Sequence, residues 1–197
     1  MAKTALNKQS YIDAALALIS EEGFDKVSMR NVAAKLGVSA MAMYKHFPNK
    51  EALLSSALDD FIGRANVLPD ADMNWDQWLV ECAKRMFMAL SDEIDWVPLL
   101  GALRPGEQAA MVSDQFIATL KRAGFSASQA TDAYFAVIQS VIGAACLQVS
   151  LRIEKHATKN VDGVKVQNSR LQIECSLELL IAALRLQLNE SKNERTA

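Results

Sequence analysis

Residues 28–50 read Ser28-Met29-Arg30-Asn31-Val32-Ala33-Ala34-Lys35-Leu36-Gly37-Val38-Ser39-Ala40-Met41-Ala42-Met43-Tyr44-Lys45-His46-Phe47-Pro48-Asn49-Lys50, and this stretch decides the fold. Ser28 can accept from the free N–H groups of the helical turn that follows it. Val32, Ala33 and Leu36 then recur at helical spacing. Gly37 can take the left-handed conformation that ends a helix. Ser39 can cap a second helix, which Pro48 ends, because its ring blocks continuation and restricts Phe47. Two short helices joined through a Gly-containing turn predict a helix-turn-helix, whose second helix enters the DNA major groove.

The flanks extend the pattern. Tyr11, Ile12, Ala15, Leu16 and Ile19 share one face, so residues 8–22 read as an amphipathic helix that Gly23 ends. Phe24 and Val27 can pack beneath it. After Pro48, Leu53, Leu54, Ala57, Leu58, Phe61 and Ile62 repeat at helical spacing over residues 50–64, with Asn49 as the cap. In this order the motifs Ala14-Ala15, Gly23-Phe24, Val32-Ala33, Leu36-Gly37-Val38-Ser39, Tyr44, His46-Phe47, Lys50-Glu51 and Leu53-Leu54 cover the first 55 or so residues. The set resembles the N-terminal DNA-binding domain of the TetR family of bacterial transcriptional regulators. Two departures stand out. Lys8 occupies a region where the family often has Arg. Residues 40–43 are Ala-Met-Ala-Met, where relatives commonly carry Gly, Pro, Thr or Leu, and the base-reading surface becomes unusually apolar.

Composition agrees with an all-α chain. Its 197 residues can hold one small and one medium domain. Apolar residues make up 51%, ample for a core and unlike a disordered chain. Only 8 Gly and 4 Pro, with few β-branched runs, favour helix throughout. Further helices are expected at 75–91, 95–103, 107–123, 127–153 and 169–189. Breaks fall at Asn66–Asn74, Ser91-Asp92, Pro105-Gly106, Gly124 with Ser126 as a cap, and 155–168. The expected division is a DNA-binding domain at 1–49 and a helical effector-binding and dimerisation domain at 50–197, joined through the helix at 50–64.

Several classes are disfavoured. No uninterrupted apolar run reaches membrane-spanning length, and no apolar leader opens the chain, so no membrane partner and a cytoplasmic location are expected. Cys82, Cys146 and Cys175 are odd in number, far apart and lack metal spacing. Each lies in an apolar helical pattern and reads as a core residue of a reducing compartment. No metal, cofactor, phosphate loop or catalytic constellation is indicated, which argues against an enzyme. Charge is asymmetric: residues 1–50 hold seven Lys/Arg and four Asp/Glu, a balance of +3, and the remainder balances at −5 within a total of −2. The positive end can meet phosphates.

Candidate DNA contacts divide by chemistry. Met43 and Phe47 continue the buried face with Val38. The other face carries Ala40, Met41, Tyr44 and Lys45, beside Ser39 and His46. The resemblance implies that Tyr44 reaches the DNA backbone and His46 touches phosphate. Lys45 can reach a phosphate or a guanine edge, and Ala40 and Met41 can touch a thymine methyl. Lys50 would open a helix, where a cation opposes the dipole unless a phosphate also lies there. Ser28 and Arg30 are further phosphate candidates.

The resemblance also implies a small-molecule effector and a homodimer. Trp75, Trp78, Met86, Phe87, Trp96, Met111, Phe116, Tyr134 and Phe135 are candidate walls for an apolar or amphipathic ligand, though most such residues are simply core. The helices at 127–153 and 169–189 carry surplus apolar residues. Val137, Val141, Ala145, Leu177, Ile181 and Leu184 are the expected dimer face, paired as a four-helix bundle about a two-fold axis. The function expected is a ligand-responsive repressor on palindromic operator DNA. The alternative is a helical interaction module of the same fold that no longer binds DNA.

Overall fold

The computed structural model describes residues 6–70, 72–92, 100, 103–104, 106–156 and 169–196. These form eight α-helices and no strand: α1 Lys8–Glu22, α2 Met29–Lys35, α3 Ala40–Tyr44, α4 Lys50–Arg64, α5 Trp75–Asp92, α6 Glu107–Ala123, α7 Ala127–His156 and α8 Ser169–Thr196. The helix expected at 95–103, with Trp96, lies outside the described residues apart from Leu100 and Leu103, a turn and a bend. The last two helices run longer than their apolar repeats indicated.

Two compact units divide the chain. The first comprises the residues up to Arg64 and the segment ending at Ala110; the second comprises the rest. The first unit includes α4, the helix that the sequence reading placed as the join between two domains, and the chain leaves that unit just ahead of the expected break at Asn66–Asn74. The reason is packing: α1 lies against α4, and Leu53, Leu54, Ala57, Leu58 and Phe61 are buried. A helix that buries its apolar stripe in the first unit belongs to that unit.

Local chemistry sets the first unit's turns. The Asn7 side chain accepts from the Ser10 N–H (2.9 Å), and Ser28 Oγ accepts from the Asn31 N–H (3.1 Å). At the end of α2, Gly37 has φ +67°, its N–H donates to Ala34 O, and the Val38 N–H donates back to Ala33 O, both at 3.0 Å. That doubled closure turns the chain sharply, and an added Cβ would strain it. Ser39 departs from expectation. Its side chain makes no cap bond, and its backbone carbonyl instead accepts from the Ala42 N–H at 3.0 Å. Val27, Val32, Ala33, Met43 and Phe47 close the core beneath.

In the second unit α7 packs against α5 and α8. Trp78, Leu79, Cys82, Phe116, Leu120, Val137, Val141 and Leu177 fill its core. Ser126 and Gln129 cap α7 reciprocally: Ser126 Oγ accepts from the Gln129 N–H (3.2 Å) and Gln129 Oε1 from the Ser126 N–H (2.9 Å). Between Ala127 and Gln148, α7 is long and apolar enough to cross a membrane, with mean hydropathy 1.4. Ser128, Gln129, Thr131, Asp132 and Ser140 interrupt the stretch, so no unbroken apolar run marks it in the sequence. The apolar residues here are spread between the face buried by α5 and α8 and an outer face.

Candidate nucleic-acid interface

The two sides of α3 differ in kind. Met43 and, just beyond the helix, Phe47 are buried, anchoring it to the core. Met41 is 73% exposed and Tyr44 51%, with Lys45 and His46 also exposed. Ala40 and Ala42 are half-buried between these sides. The exposed side chains therefore project from a helix fixed from behind, as groove reading requires.

Neighbouring helices brace this surface. The His46 ring lies 5.0 Å from the buried Tyr11 ring, and Tyr11 meets Phe47 edge-on at 6.4 Å, which ties α1 to the end of α3. The Lys8 ammonium lies 5.3 Å above the Phe47 ring. Ser28 is half-buried with its oxygen engaged by Asn31, whereas Arg30 and Ser39 are exposed.

At the start of α4, Asn49 Oδ1 accepts from the Ala52 N–H at 2.8 Å. The Lys50 ammonium lies 4.7 Å over the face of Phe24, an attraction that offsets its unfavourable position at a positive helix end. No sequence spacing signalled that contact. It holds Lys50 half-buried at the edge of the unit.

On its other side α4 meets the start of α6. Asp59 Oδ1 accepts from the N–H groups of Gln108 (2.9 Å) and Ala109 (3.3 Å). Gly106 makes room for it, since a Cβ there would run into the Asp59 carboxylate. Sequence reasoning missed Asp59, because a lone acid on an amphipathic helix reads as surface. Arg64 also ion-pairs with Asp13 (2.5 Å) and Asp60 (2.6 Å), and the Arg64 hydrogen bond holds the Asp13 carboxyl below its ordinary range.

The residues expected to line an effector pocket are mostly packed. Trp78 meets Phe116 edge-on at 5.5 Å, Phe116 meets Tyr134 at 5.4 Å, and Tyr134 meets Phe135 at 5.3 Å. Trp75 meets Phe125 at 5.1 Å. Met86 and Phe87 are buried, whereas Met111 and Phe135 are about half exposed. A cleft of about 420 Å³ opens elsewhere, between α5 and α8, lined by Met73, Asp76, Glu81, Lys84, Ile181 and Arg185. Arg185 donates to Asp76 Oδ2 across it.

Two expectations need correction. Val137, Val141, Ala145, Leu177, Ile181 and Leu184 are buried within the single chain, because α7 and α8 turn these faces toward α5 and each other. Among the described residues, the large apolar side chains those helices leave exposed are Phe135, Leu147, Leu179 and Leu186. Of the cysteines expected in the core, only Cys82 is buried, its thiol pushed up to about 12 by burial. Cys146 and Cys175 lie on the outer faces.

Residues 12–57 match the family model described as bacterial regulatory proteins, tetR family. Over 143 residues the chain is 33% identical to the class A tetracycline repressor of Escherichia coli, a match covering 72% of this chain and 66% of that protein. It is 32% identical over 142 residues to the class G tetracycline repressor of Vibrio anguillarum, covering 71% and 68%. Matches to the first four tetracycline repressors span just under two thirds of those proteins' lengths, 64–66%. Among solved structures, a TetR variant from Acinetobacter baumannii AYE in complex with minocycline is 29% identical with a TM-score of 0.77, covering 93% of this chain and 98% of that one. The ordered helix-turn-helix motifs and these matches agree: the chain belongs to the TetR family of bacterial transcriptional regulators.

Proposed function

We propose that the protein is a ligand-responsive repressor that binds palindromic operator DNA as a homodimer and is released by a small apolar or amphipathic effector. The observation that carries this reading is the exposed pair Met41 and Tyr44 on α3, continued just past its end by the exposed Lys45 and His46, while Met43 anchors the helix in the core. Beside it, the capped N-terminus of α4 offers backbone N–H groups and Lys50 to a phosphate. Arg30 and Ser39 are exposed in the same unit and add phosphate contacts; Ser28, half-buried, retains a hydroxyl proton to donate.

Dimerisation is supported by the outward faces of α7 and α8. Cys175, Leu179, Ala182 and Leu186 recur on α8 at intervals of four and three and are exposed, with Leu179 at 70% and Leu186 at 66%. Phe135, Leu147 and the open position at Gly143 continue the apolar surface on α7. Two copies of this pair would bury it as a four-helix bundle.

The switch reading rests on α6, whose first turn belongs to the DNA-binding unit and whose later turns belong to the other. An effector bound in the second unit that shifts α6 would pass that displacement to α4 through the Asp59 cap. A hundredfold change in DNA affinity requires differential effector binding of about 2.7 kcal/mol. The minocycline-bound neighbour lends support to a polycyclic, amphipathic effector class. A gel-shift titration of DNA fragments from the chain's own genomic neighbourhood tests the core claim. Selective, salt-sensitive retardation is expected. Uniform failure to bind would favour the helical interaction module instead.

A further inference from the structure

The tip of α3 lacks hydrogen-bonding groups where base reading is expected. Ala40 and Ala42 are methyl side chains, and the 73% exposed Met41 between them offers only a weakly accepting thioether. The polar groups, on Ser39, Tyr44 and Lys45, flank this patch at both ends. Met41 has no packing role that would explain it, since Met43 supplies the core contact from this helix. The major groove presents one apolar group, the C5-methyl of thymine. Two alanines beside Met41 leave the backbone free to approach the base edges closely.

We propose that Met41, flanked by Ala40 and Ala42, reads pyrimidine C5-methyl groups, so that the centre of each half-site is selected by apolar contact rather than by hydrogen bonds. This rests on the DNA-binding reading above and specifies its chemistry. Such a site distinguishes thymine from uracil, which present identical hydrogen-bonding edges and differ only in the methyl.

The experiment uses a duplex enriched by the full-length protein from a random-sequence library. Each thymine of the enriched half-site is replaced in turn by deoxyuridine, and affinity is read by fluorescence anisotropy. At the contacted position binding should weaken about fourfold, and about fifteenfold when both half-sites are changed. Met41→Ala should bind the thymine duplex more weakly and lose the distinction between the two duplexes. Circular dichroism should be unchanged, because the side chain is exposed. If the enriched duplex binds but no uracil substitution matters, methyl reading is wrong and DNA binding stands. If Met41→Ala keeps the full thymine preference, the reader is another residue and the assignment fails. If no duplex is enriched, the DNA-binding reading falls, and this inference with it.

Discussion

Asp59 on α4 caps the first turn of α6, its carboxylate accepting the Gln108 N–H at 2.9 Å. Gly106, just before that turn, has no space for a side chain because the same carboxylate occupies it. The two features are one device. Asp59→Ala should lower stability by about 0.5–2 kcal/mol, the usual cost of a lost cap. Gly106→Ala should also destabilise the wild-type background. Once Asp59 is Ala, the added methyl has room, so the double variant should be more stable than the sum of the single effects by roughly 0.5 kcal/mol or more. Denaturant melts of the four proteins measure the coupling, and strict additivity would show that the two residues act separately.

Lys50 and Tyr44 should affect DNA binding in distinguishable ways. Lys50→Ala should weaken all sequences about equally and reduce the slope of log affinity against log salt by about one. Because its ammonium also lies on Phe24, a modest stability loss of about 0.5–1 kcal/mol should accompany it. Tyr44→Ala, at an exposed site, should weaken binding while leaving the melting temperature within about a degree or two. An unchanged salt slope in Lys50→Ala would contradict the phosphate role.

The outward and inward faces of α8 predict opposite failures. Leu179→Glu and Leu186→Glu place charge on exposed positions and should yield folded monomers. Leu184→Glu places it in the chain's own core and should unfold the protomer, at a cost of about 3 kcal/mol or more. Sedimentation analysis paired with circular dichroism separates the two results. A folded dimer of Leu179→Glu would move the interface elsewhere.

The Asp76–Arg185 pair should make the second unit sensitive to acid. The Arg185 hydrogen bond holds the Asp76 carboxyl below its ordinary value of 3.8. A carboxyl depressed in the folded state stabilises above its unfolded pKa, and that contribution disappears as pH falls through the folded value. Arg185 is 60% exposed, so the pair contributes no more than about 1 kcal/mol. Urea midpoints of the wild type and Asp76→Asn should therefore differ at pH 6 and converge as the pH falls past 3.8 and through the depressed folded value. A constant difference across that range would show that the charge is not the cause.

Residue order alone was enough for most of the first unit. Helix starts and stops, the Gly37 turn, the Asn49 cap, and the buried pair Met43 and Phe47 all follow from interactions within a few residues, and such local chemistry is written in residue order. The second unit was legible only as a set of helices. Leu184 and Leu186 are alike as residue types and close in the chain, yet one is buried and the other exposed. Which apolar stripe turns inward depends on where α5 and α7 lie, and a helix with apolar residues on two sides does not announce that. Cys82 and Cys146 illustrate the same limit, sharing an apolar context but differing in burial. Asp59 shows it most directly: its partners are 49 and 50 residues away, and only packing of α4 beside the start of α6 turns a surface acid into a cap.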